Sequence, residues 1–351
     1  MNPIDDILRD AVEKGASDVH FTVGIPPVAR IDGNLVSLGG DVLKPADTIA
    51  VAEAMMTDKN KAHLQANGEA DLAYSVTNFG RFRVNVFMQR GSVAVAVRAL
   101  NYEIPTPDKL GIPDSVIDVV KRQRGLVLVT GPTGSGKSTT LASLINVLNE
   151  NYPYHIITLE DPIEYLHRHK KAIVNQREMG TDSENYASGL RAALREDPDV
   201  ILVGEMRDLE TISIAVTAAE TGHLVFSTLH TIGAASTIDR IIDVFPPHQQ
   251  QQIRTQLAEV LVSVVSQQLI SKKIGKGRCA AIEVMHINPA IRNLIRDSKT
   301  FQIPSVMQTN KKAGMQTMDD AIYDLYTRNV ITDTEAMRYA QDINYLAKRI
   351  I

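Results

Sequence analysis

The stretch Gly131-Pro-Thr-Gly-Ser-Gly-Lys-Ser138 decides the fold class of this chain, because it fits the phosphate-binding pattern G-x-x-x-x-G-K-[ST]. Residues 126–129 before it form an apolar run, which predicts a buried strand. Residues 141–148 after it carry apolar side chains at the spacing i, i+3, i+4 and i+7, which predicts one face of a helix. A strand, a glycine-rich turn and a helix in this order are typical of a loop that binds a nucleotide.

The residue types in this stretch suit the chemistry of phosphate binding. Its glycines allow backbone angles that turn successive N–H groups inward, and the N-terminus of the helix adds partial positive charge. Lys137 can reach the β- and γ-phosphates, and Ser138 can ligate Mg²⁺. An ordinary glycine-rich turn is disfavoured by the motif and by both flanks. The predicted nucleotide contacts are Gly131, Pro132, Thr133, Gly134, Ser135, Gly136, Lys137, Ser138 and Thr139.

Short apolar runs alternate with helical stretches in this part of the chain, at residues 126–130, 155–159, 200–203 and 224–228. The alternation predicts an α/β fold, a parallel sheet with helices on both faces. Beyond Pro246 the pattern predicts helix through Val264, and helix again from Asn288 to the end of the chain. The first hundred residues mix helical spacing with strand alternation and predict a smaller α+β domain.

The predicted domain boundaries follow from a proline-rich stretch. Pro105, Pro107 and Pro113 lie in a segment with few apolar residues, which is typical of a linker. We therefore predict an N-terminal domain at residues 1–100, a linker at 101–113, and a nucleotide-binding domain with a C-terminal helical region at 114–351.

Carboxylates follow two of the predicted strands. One apolar strand ends near Glu205, a position suited to hold Mg²⁺ directly or through water. Another runs into three acids, Glu160, Asp161 and Glu164. Ligands of an open parallel sheet lie beyond the carboxyl ends of its strands, so one of these acids is expected to orient or deprotonate the attacking water. The residues alone do not choose among the three.

Two histidines, His223 and His230, flank the predicted strand at residues 224–228. Their spacing matches no zinc-site pattern, so a shared metal is not expected. His230 follows the strand end, as the acids do, and a role in sensing the γ-phosphate stands beside a purely structural one.

The composition excludes several classes of protein. Of 351 residues, 37 are lysine or arginine and 41 are aspartate or glutamate, and the net charge of −4 weighs against binding of nucleic acid. The single cysteine, Cys279, permits no intrachain disulfide and no four-cysteine zinc site. No apolar stretch approaches the ~18 residues of a membrane span, and residues 1–10 show no secretory signal. A cytoplasmic protein is expected, with membrane contact only through partners.

Four motifs together resemble the type II/IV secretion ATPase superfamily: its Walker A, Asp, Walker B and His boxes match residues 131–138, 160–164, 194–208 and 221–231. Residues 15–20 and 80–85 also match. The segment Ala290-Ile-Arg-Asn-Leu-Ile-Arg296 is characteristic of the type IV pilus retraction ATPases, the PilT family. The resemblance covers nearly the whole chain.

The resemblance implies a hexameric ring of subunits, each with a PAS-like N-terminal domain and a RecA-like core, and ATP bound between the two domains. It implies Glu164 as the catalytic base, Glu205 as the Walker B acid near Mg²⁺, and His230 beside the γ-phosphate. It also implies that cationic groups reach the nucleotide from the N-terminal strands, namely Arg81, Arg83 and Arg98. Arginine suits this role because its fork matches phosphate oxygens. Which arginine contacts ATP stays open.

The resemblance further implies a motor that drives pilus retraction and twitching motility, at the inner face of the cell membrane, on an inner-membrane platform protein. Residues 290–296 would act in retraction separately from ATP binding, although the bare pattern equally predicts an amphipathic core helix with solvated arginines. Four alternatives remain: an accessory retraction paralogue, a pilus assembly or secretion ATPase, an ATP-gated scaffold with little hydrolysis, and a DNA translocase, against which the net charge of −4 weighs. The assembly relatives typically carry a four-cysteine zinc element, which one cysteine cannot form.

Overall fold

The protein is described by a computed structural model that covers residues 3–31, 33–77, 79–100, 103–275 and 277–350. The chain divides into two compact units. One comprises Met1–Glu103 with Glu164–Leu166, and the other comprises Ile104–Ile163 with His167–Ile351. Asn101 and Tyr102, the first residues of the predicted linker, lie outside the described residues.

The smaller unit is an antiparallel sheet accompanied by helices. Its elements are α1 (Pro3–Glu13), β1 (Ala16–Phe21), β2 (Val28–Ile31), β3 (Asn34–Ser37), α2 (Pro45–Met55), α3 (Asp58–Asn67), β4 (Glu69–Val76), β5 (Gly80–Gln89) and β6 (Ser92–Ala99). The strands pair in the order β3-β2-β1-β6-β5-β4. Strand β5 alternates as its sequence predicts: Phe82, Val84 and Val86 are buried in the apolar core, whereas Arg83 is exposed.

The larger unit is built on a second sheet. Its strands are β7 (Gly125–Thr130), β8 (His155–Glu160), β9 (Ile173–Glu178), β10 (Val200–Val203), β11 (Leu224–Leu229), β12 (Leu261–Ser271) and β13 (Arg278–His286). Its helices are α4 (Pro107–Leu110), α5 (Asp114–Ile117), α6 (Lys137–Asn151), α7 (Tyr186–Ala193), α8 (Leu209–Glu220), α9 (Ala234–Asp243), α10 (Pro247–Val260), α11 (Pro289–Arg296), α12 (Ile303–Thr309), α13 (Met318–Thr327), α14 (Asp333–Tyr339) and α15 (Ile343–Ile350).

The strand order of this sheet is β13-β12-β7-β11-β10-β8-β9, and its strands pair in parallel except for β13. Both faces are covered, because alternate residues of β7 enter different apolar clusters: Leu126 and Leu128 enter one, Val127 and Val129 the other. The predicted α/β fold with a parallel core is therefore confirmed. Among the described residues, no helix has both the length and the apolar character that crossing a membrane requires.

The prediction of helix through Val264 is wrong. Helix α10 ends at Val260, and strand β12 begins at Leu261 and pairs in parallel with β7. Apart from Ser263, residues 261–265 are apolar and rich in β-branched valine, and both Val264 and Val265 are fully buried. Burial on both faces of a sheet removes the alternation that would have marked a strand. The C-terminal helical prediction from Asn288 agrees with α11–α15.

The proline-rich stretch contacts the larger unit. The carbonyl of Pro105 accepts a hydrogen bond from Ser143 Oγ at 2.8 Å, and Ile112 packs in the apolar cluster beneath α6. Between them lies the short helix α4, which begins at Pro107.

Candidate active site

The glycine-rich loop joins the carboxyl end of β7 to the start of α6. Gly131, Gly134 and Gly136 have φ values of +141°, +76° and +88°, which residues other than glycine rarely adopt. A Cβ atom at Gly131 would lie 2.2 Å from the carbonyl oxygen of Gln267, so this position also needs glycine for space. Lys137 Nζ donates to the carbonyls of Gly131 and Pro132 at 2.9 and 3.1 Å. The ammonium group is therefore held at the mouth of the loop.

Gln267 on β12 supports the loop, and sequence reasoning missed it. Its Nε2 donates to the Ser135 carbonyl at 2.5 Å, and its Oε1 accepts from Thr140 Oγ1 at 2.9 Å. Only 2% of Gln267 is exposed. The available signal was the pair of glutamines at 267 and 268 in a run rich in leucine and valine, because a polar side chain in a buried strand needs a hydrogen-bond partner.

Glu205 lies just beyond β10, with His230 close to one of its oxygens and Arg207 close to the other. Its Oε1 lies 3.2 Å from His230 Nε2, and its Oε2 lies 2.7 Å from Arg207 Nη2. Partial burial would raise the pKa of Glu205, but the Arg207 hydrogen bond and the neighbouring positive charges outweigh it and lower the pKa below its usual range. The structure thus brings two predicted residues, Glu205 and His230, together, and adds Arg207.

Tyr186, the first residue of α7, lies close to Glu205 at the end of β10. A Cβ atom at Gly204 would lie 2.8 Å from the Tyr186 hydroxyl, which places the phenol against the strand end. Burial, followed by the charges of Asp161, Glu205 and Glu160, raises the pKa of Tyr186 far above its usual range. Tyr186 therefore stays a neutral phenol. Nothing in the local pattern distinguished this tyrosine from an ordinary helix residue.

The three acids at the carboxyl end of β8 and just after it have different surroundings. Glu160 Oε1 accepts from Thr158 Oγ1 at 2.6 Å and from Gln176 Nε2 at 3.0 Å. Asp161 and Glu164 are exposed, and Glu164 belongs to the segment that clusters with the smaller unit. The backbone just before Glu164 is fixed, because the Ile163 N–H donates to the buried Glu178 carboxylate at 3.1 Å.

The predicted arginines lie on β5 and β6 of the smaller unit. Arg83 is directly opposite Arg98 in the antiparallel pair, and Arg98 Nε donates to Asp18 Oδ1 at 2.9 Å. Burial raises the pKa of Asp18, yet the hydrogen bonds from Arg98 and Ser17 lower it overall. Asp18 therefore offsets part of the repulsion between the two arginines. Arg81 is half-buried on the same strand as Arg83.

His223 lies at the other end of β11 from His230. Its ring Nδ1 is 3.0 Å from the Ala218 carbonyl, and its own carbonyl accepts from the Gly125 N–H. These contacts join the amino ends of β11 and β7 to helix α8. His223 thus makes structural contacts at the end of β11 opposite to the one that His230 follows.

The residues at this site fit Mg²⁺ in the manner of a phosphate-bound ion. Within the described part of the chain, no group of three or more His, Cys, Asp or Glu side chains could hold a metal by itself. Ser138 is exposed at the start of α6, where its hydroxyl is available, and the carboxylate of Glu205 lies beside His230 and Arg207. Mg²⁺ commonly binds through substrate phosphates, water and one or two protein oxygens. Ser138 and Glu205 would supply the protein oxygens.

Comparison with known proteins places this chain among pilus and secretion proteins. Residues 1–338 match the family described as "Type II/IV secretion system protein". The chain is 47% identical to the type IV pilus retraction ATPase PilT of Pseudomonas aeruginosa, over 96% of this chain and 98% of that protein. It is 40% identical to the type IV pilus ATPase PilU of the same organism, over 97% and 90% of the two chains.

A solved structure of similar fold is the crystal structure of the pilus retraction motor PilT with bound ADP. Its TM-score is 0.91 at 53% sequence identity, and the match covers 98% of this chain and 99% of that one.

Proposed function

Because the chain belongs to the type II/IV secretion system protein family, we propose that it is an ATP-hydrolysing motor that powers type IV pilus retraction and twitching motility. The observation that carries the proposal is the end-to-end likeness to a retraction motor whose crystal structure contains ADP. The geometry of the larger unit supports it, since the glycine-rich loop and the pair Glu205–His230 lie at carboxyl ends of neighbouring parallel strands.

The phosphate groups of ATP would bind to backbone N–H groups of the loop at residues 131–139, Pro132 excepted, and to the Lys137 ammonium group. Gln267 would keep the loop in the required shape through Ser135. Ser138 would hold Mg²⁺ together with Glu205 through water, and the bound ion would neutralise charge on the phosphates. His230, next to Glu205, would contact the γ-phosphate.

Hydrolysis also needs a group that orients water and cations that stabilise the developing charge. We assign the first role to Glu164, whose exposed carboxylate follows the fixed segment at Ile163. We assign the second role to Arg81, Arg83 and Arg98. Because the side chain of Arg98 is already paired with Asp18, we favour Arg83 over Arg98 as the arginine that reaches a nucleotide.

We further propose a homo-oligomeric ring, a hexamer, that works in the cytoplasm at the inner face of the cell membrane. Its partner would be an inner-membrane platform protein of the pilus machinery, and membrane contact would pass through that partner. Domains at residues 1–100 and 114–351, joined through 101–113, would move during the cycle. The likeness to PilU keeps an accessory retraction ATPase as a second candidate.

The deciding experiment measures pilus retraction in cells that lack this protein, complemented with the wild type or with Lys137→Ala, alongside ATP turnover of the purified proteins. We expect the wild type to restore retraction and the variant to lose turnover by at least about a hundredfold. Lys121→Ala, at an exposed position outside the linker, serves as the lysine control. Normal retraction in the deletion strain would point to the accessory role, and normal turnover in Lys137→Ala would contradict a motor.

A further inference from the structure

A buried carboxylate lies between the loop that carries His230 and the C-terminal helices. Glu283 on β13 is 5% exposed. Its Oε1 accepts from the Ala234 N–H at 2.6 Å, and its Oε2 accepts from the Met318 N–H at 3.0 Å. Ala234 and Met318 are the first residues of α9 and α13, so one side chain caps the starts of two helices.

The start of α9 is also the end of the His230 loop. Gly233, three residues after His230, donates its N–H to Ser266 Oγ at 2.9 Å. Its φ is +90°, and a Cβ atom there would lie 3.5 Å from Gln341 Nε2 and 3.8 Å from Glu283 Oε1. The loop is therefore fixed at its far end by Ser266 and Glu283, and it adjoins the segment before α15.

The two hydrogen bonds of Glu283 are expected to weaken when its side chain is substituted. Within the described residues no lysine or arginine forms an ion pair with it, so its charge depends on the two N–H groups and on the positive ends of two helices. Burial, assisted by the charge of Asp319, raises the pKa of Glu283 overall, although the Ala234 and Met318 hydrogen bonds oppose that rise. An amide in its place would turn one acceptor into a donor that faces a backbone N–H.

We propose that Glu283 is a positioning residue for ATP hydrolysis: by capping α9 and α13 together, it fixes the His230 loop to the C-terminal helices and keeps His230 beside Glu205. The inference rests on the proposed ATPase function. It gives the C-terminal region a direct structural link to the group that contacts the γ-phosphate.

Asp319 on α13, one of the two helices that Glu283 caps, provides a matched control. It is 7% exposed, and its two oxygens accept from the N–H groups of Gln341 and Asp342 at 2.7 and 2.9 Å. Glu283 and Asp319 are therefore alike, because each is a buried carboxyl group that accepts hydrogen bonds from two backbone N–H groups of its own. They differ in that the hydrogen bonds of Asp319 join α13 to the start of α15 and not to α9.

The experiment compares Glu283→Gln with Asp319→Asn by steady-state ATP turnover and by backbone hydrogen exchange of the full-length protein. For Glu283→Gln we expect kcat about tenfold lower at an unchanged KM for ATP, and about tenfold faster exchange at residues 231–237. For Asp319→Asn we expect faster exchange at residues 341–346 and kcat within about twofold of the wild type. Glu283→Asp, which keeps the charge but shortens the reach, repeats the test if the first variant does not fold.

Two results would overturn the inference alone: wild-type exchange at residues 231–237 in the Glu283 variants, or an equal loss of kcat in the Glu283 and Asp319 variants. Absence of ATP turnover in the wild type would contradict the proposed function, and the inference would fall with it. The exchange measurement needs no hydrolysis, so the two failures are distinguishable.

Discussion

Gln267 donates a side-chain N–H to the main-chain carbonyl of Ser135 at 2.5 Å, from inside the central sheet. The same amide accepts from Thr140 Oγ1, so it joins the glycine-rich loop to the first turn of α6. The loop is thereby supported by the strand next to β7 as well as by its own glycines. A buried carbonyl that loses its donor pays the desolvation penalty in full.

Gln267→Ala should raise the KM for ATP by about tenfold and change kcat less, because the loop that binds the phosphates loses its support before the chemical step. Steady-state kinetics over a range of ATP concentrations measures this. Gln268→Ala is the control: the neighbouring side chain donates to the Tyr339 carbonyl at 3.5 Å and, among the described residues, makes no hydrogen bond to the loop. An equal rise of KM in both variants would mean that the strand, not the hydrogen bond to Ser135, is responsible.

The sequence predicted those parts of the site that depend on local pattern. The loop at residues 131–138 and the acid at Glu205 follow strands whose apolar runs are visible without a structure. Gln267 was not predictable in this way, because its hydrogen bond spans 132 residues and depends on the register of β12 beside β7. The wrong assignment of residues 261–264 to a helix hid that register. A strand buried on both faces carries too little alternation to be told from a helix.

Arg207→Ala should move the acid limb of the pH–kcat profile to higher pH. The hydrogen bond from Arg207 helps to lower the pKa of Glu205, so its loss raises that pKa and protonates the carboxylate at a higher pH. The measurement is ATP turnover across the pH range below neutrality. Arg191→Ala, which removes the exposed pair with Glu210 on the neighbouring helices, should leave the profile in place. An unmoved acid limb in Arg207→Ala would show that ionisation of Glu205 does not limit turnover.

His167 should make the protein less stable in mild acid. Burial, assisted by the charge of Lys170, lowers the pKa of His167 to about 4 from 6.5. The folded state therefore favours the neutral ring. The free energy of unfolding therefore keeps its full value above pH ~6.5. It falls as the pH drops toward ~4, and His167 accounts for at most about 3 kcal/mol of that fall. Denaturant unfolding at a series of pH values should show this slope in the wild type and lose it in His167→Gln.

His248, exposed near the start of α10, is the matched control for that series. His248→Gln should keep the full slope between pH ~6.5 and ~4. A slope that persists in His167→Gln would assign the acid sensitivity to carboxylates instead.

Arg296→Ala should leave ATP turnover within about twofold of the wild type while retraction fails. Ile291 and Ile295 on α11 are fully buried, whereas Arg296 Nη2 pairs with Glu259 Oε1 at 3.0 Å in a partly exposed position. Such a pair contributes ~1 kcal/mol or less, so the variant should remain folded. Glu259→Gln removes the pair and keeps the arginine, and it should retract normally. A parallel loss of hydrolysis in Arg296→Ala would make the helix merely structural, and failure of both variants would assign the effect to the ion pair.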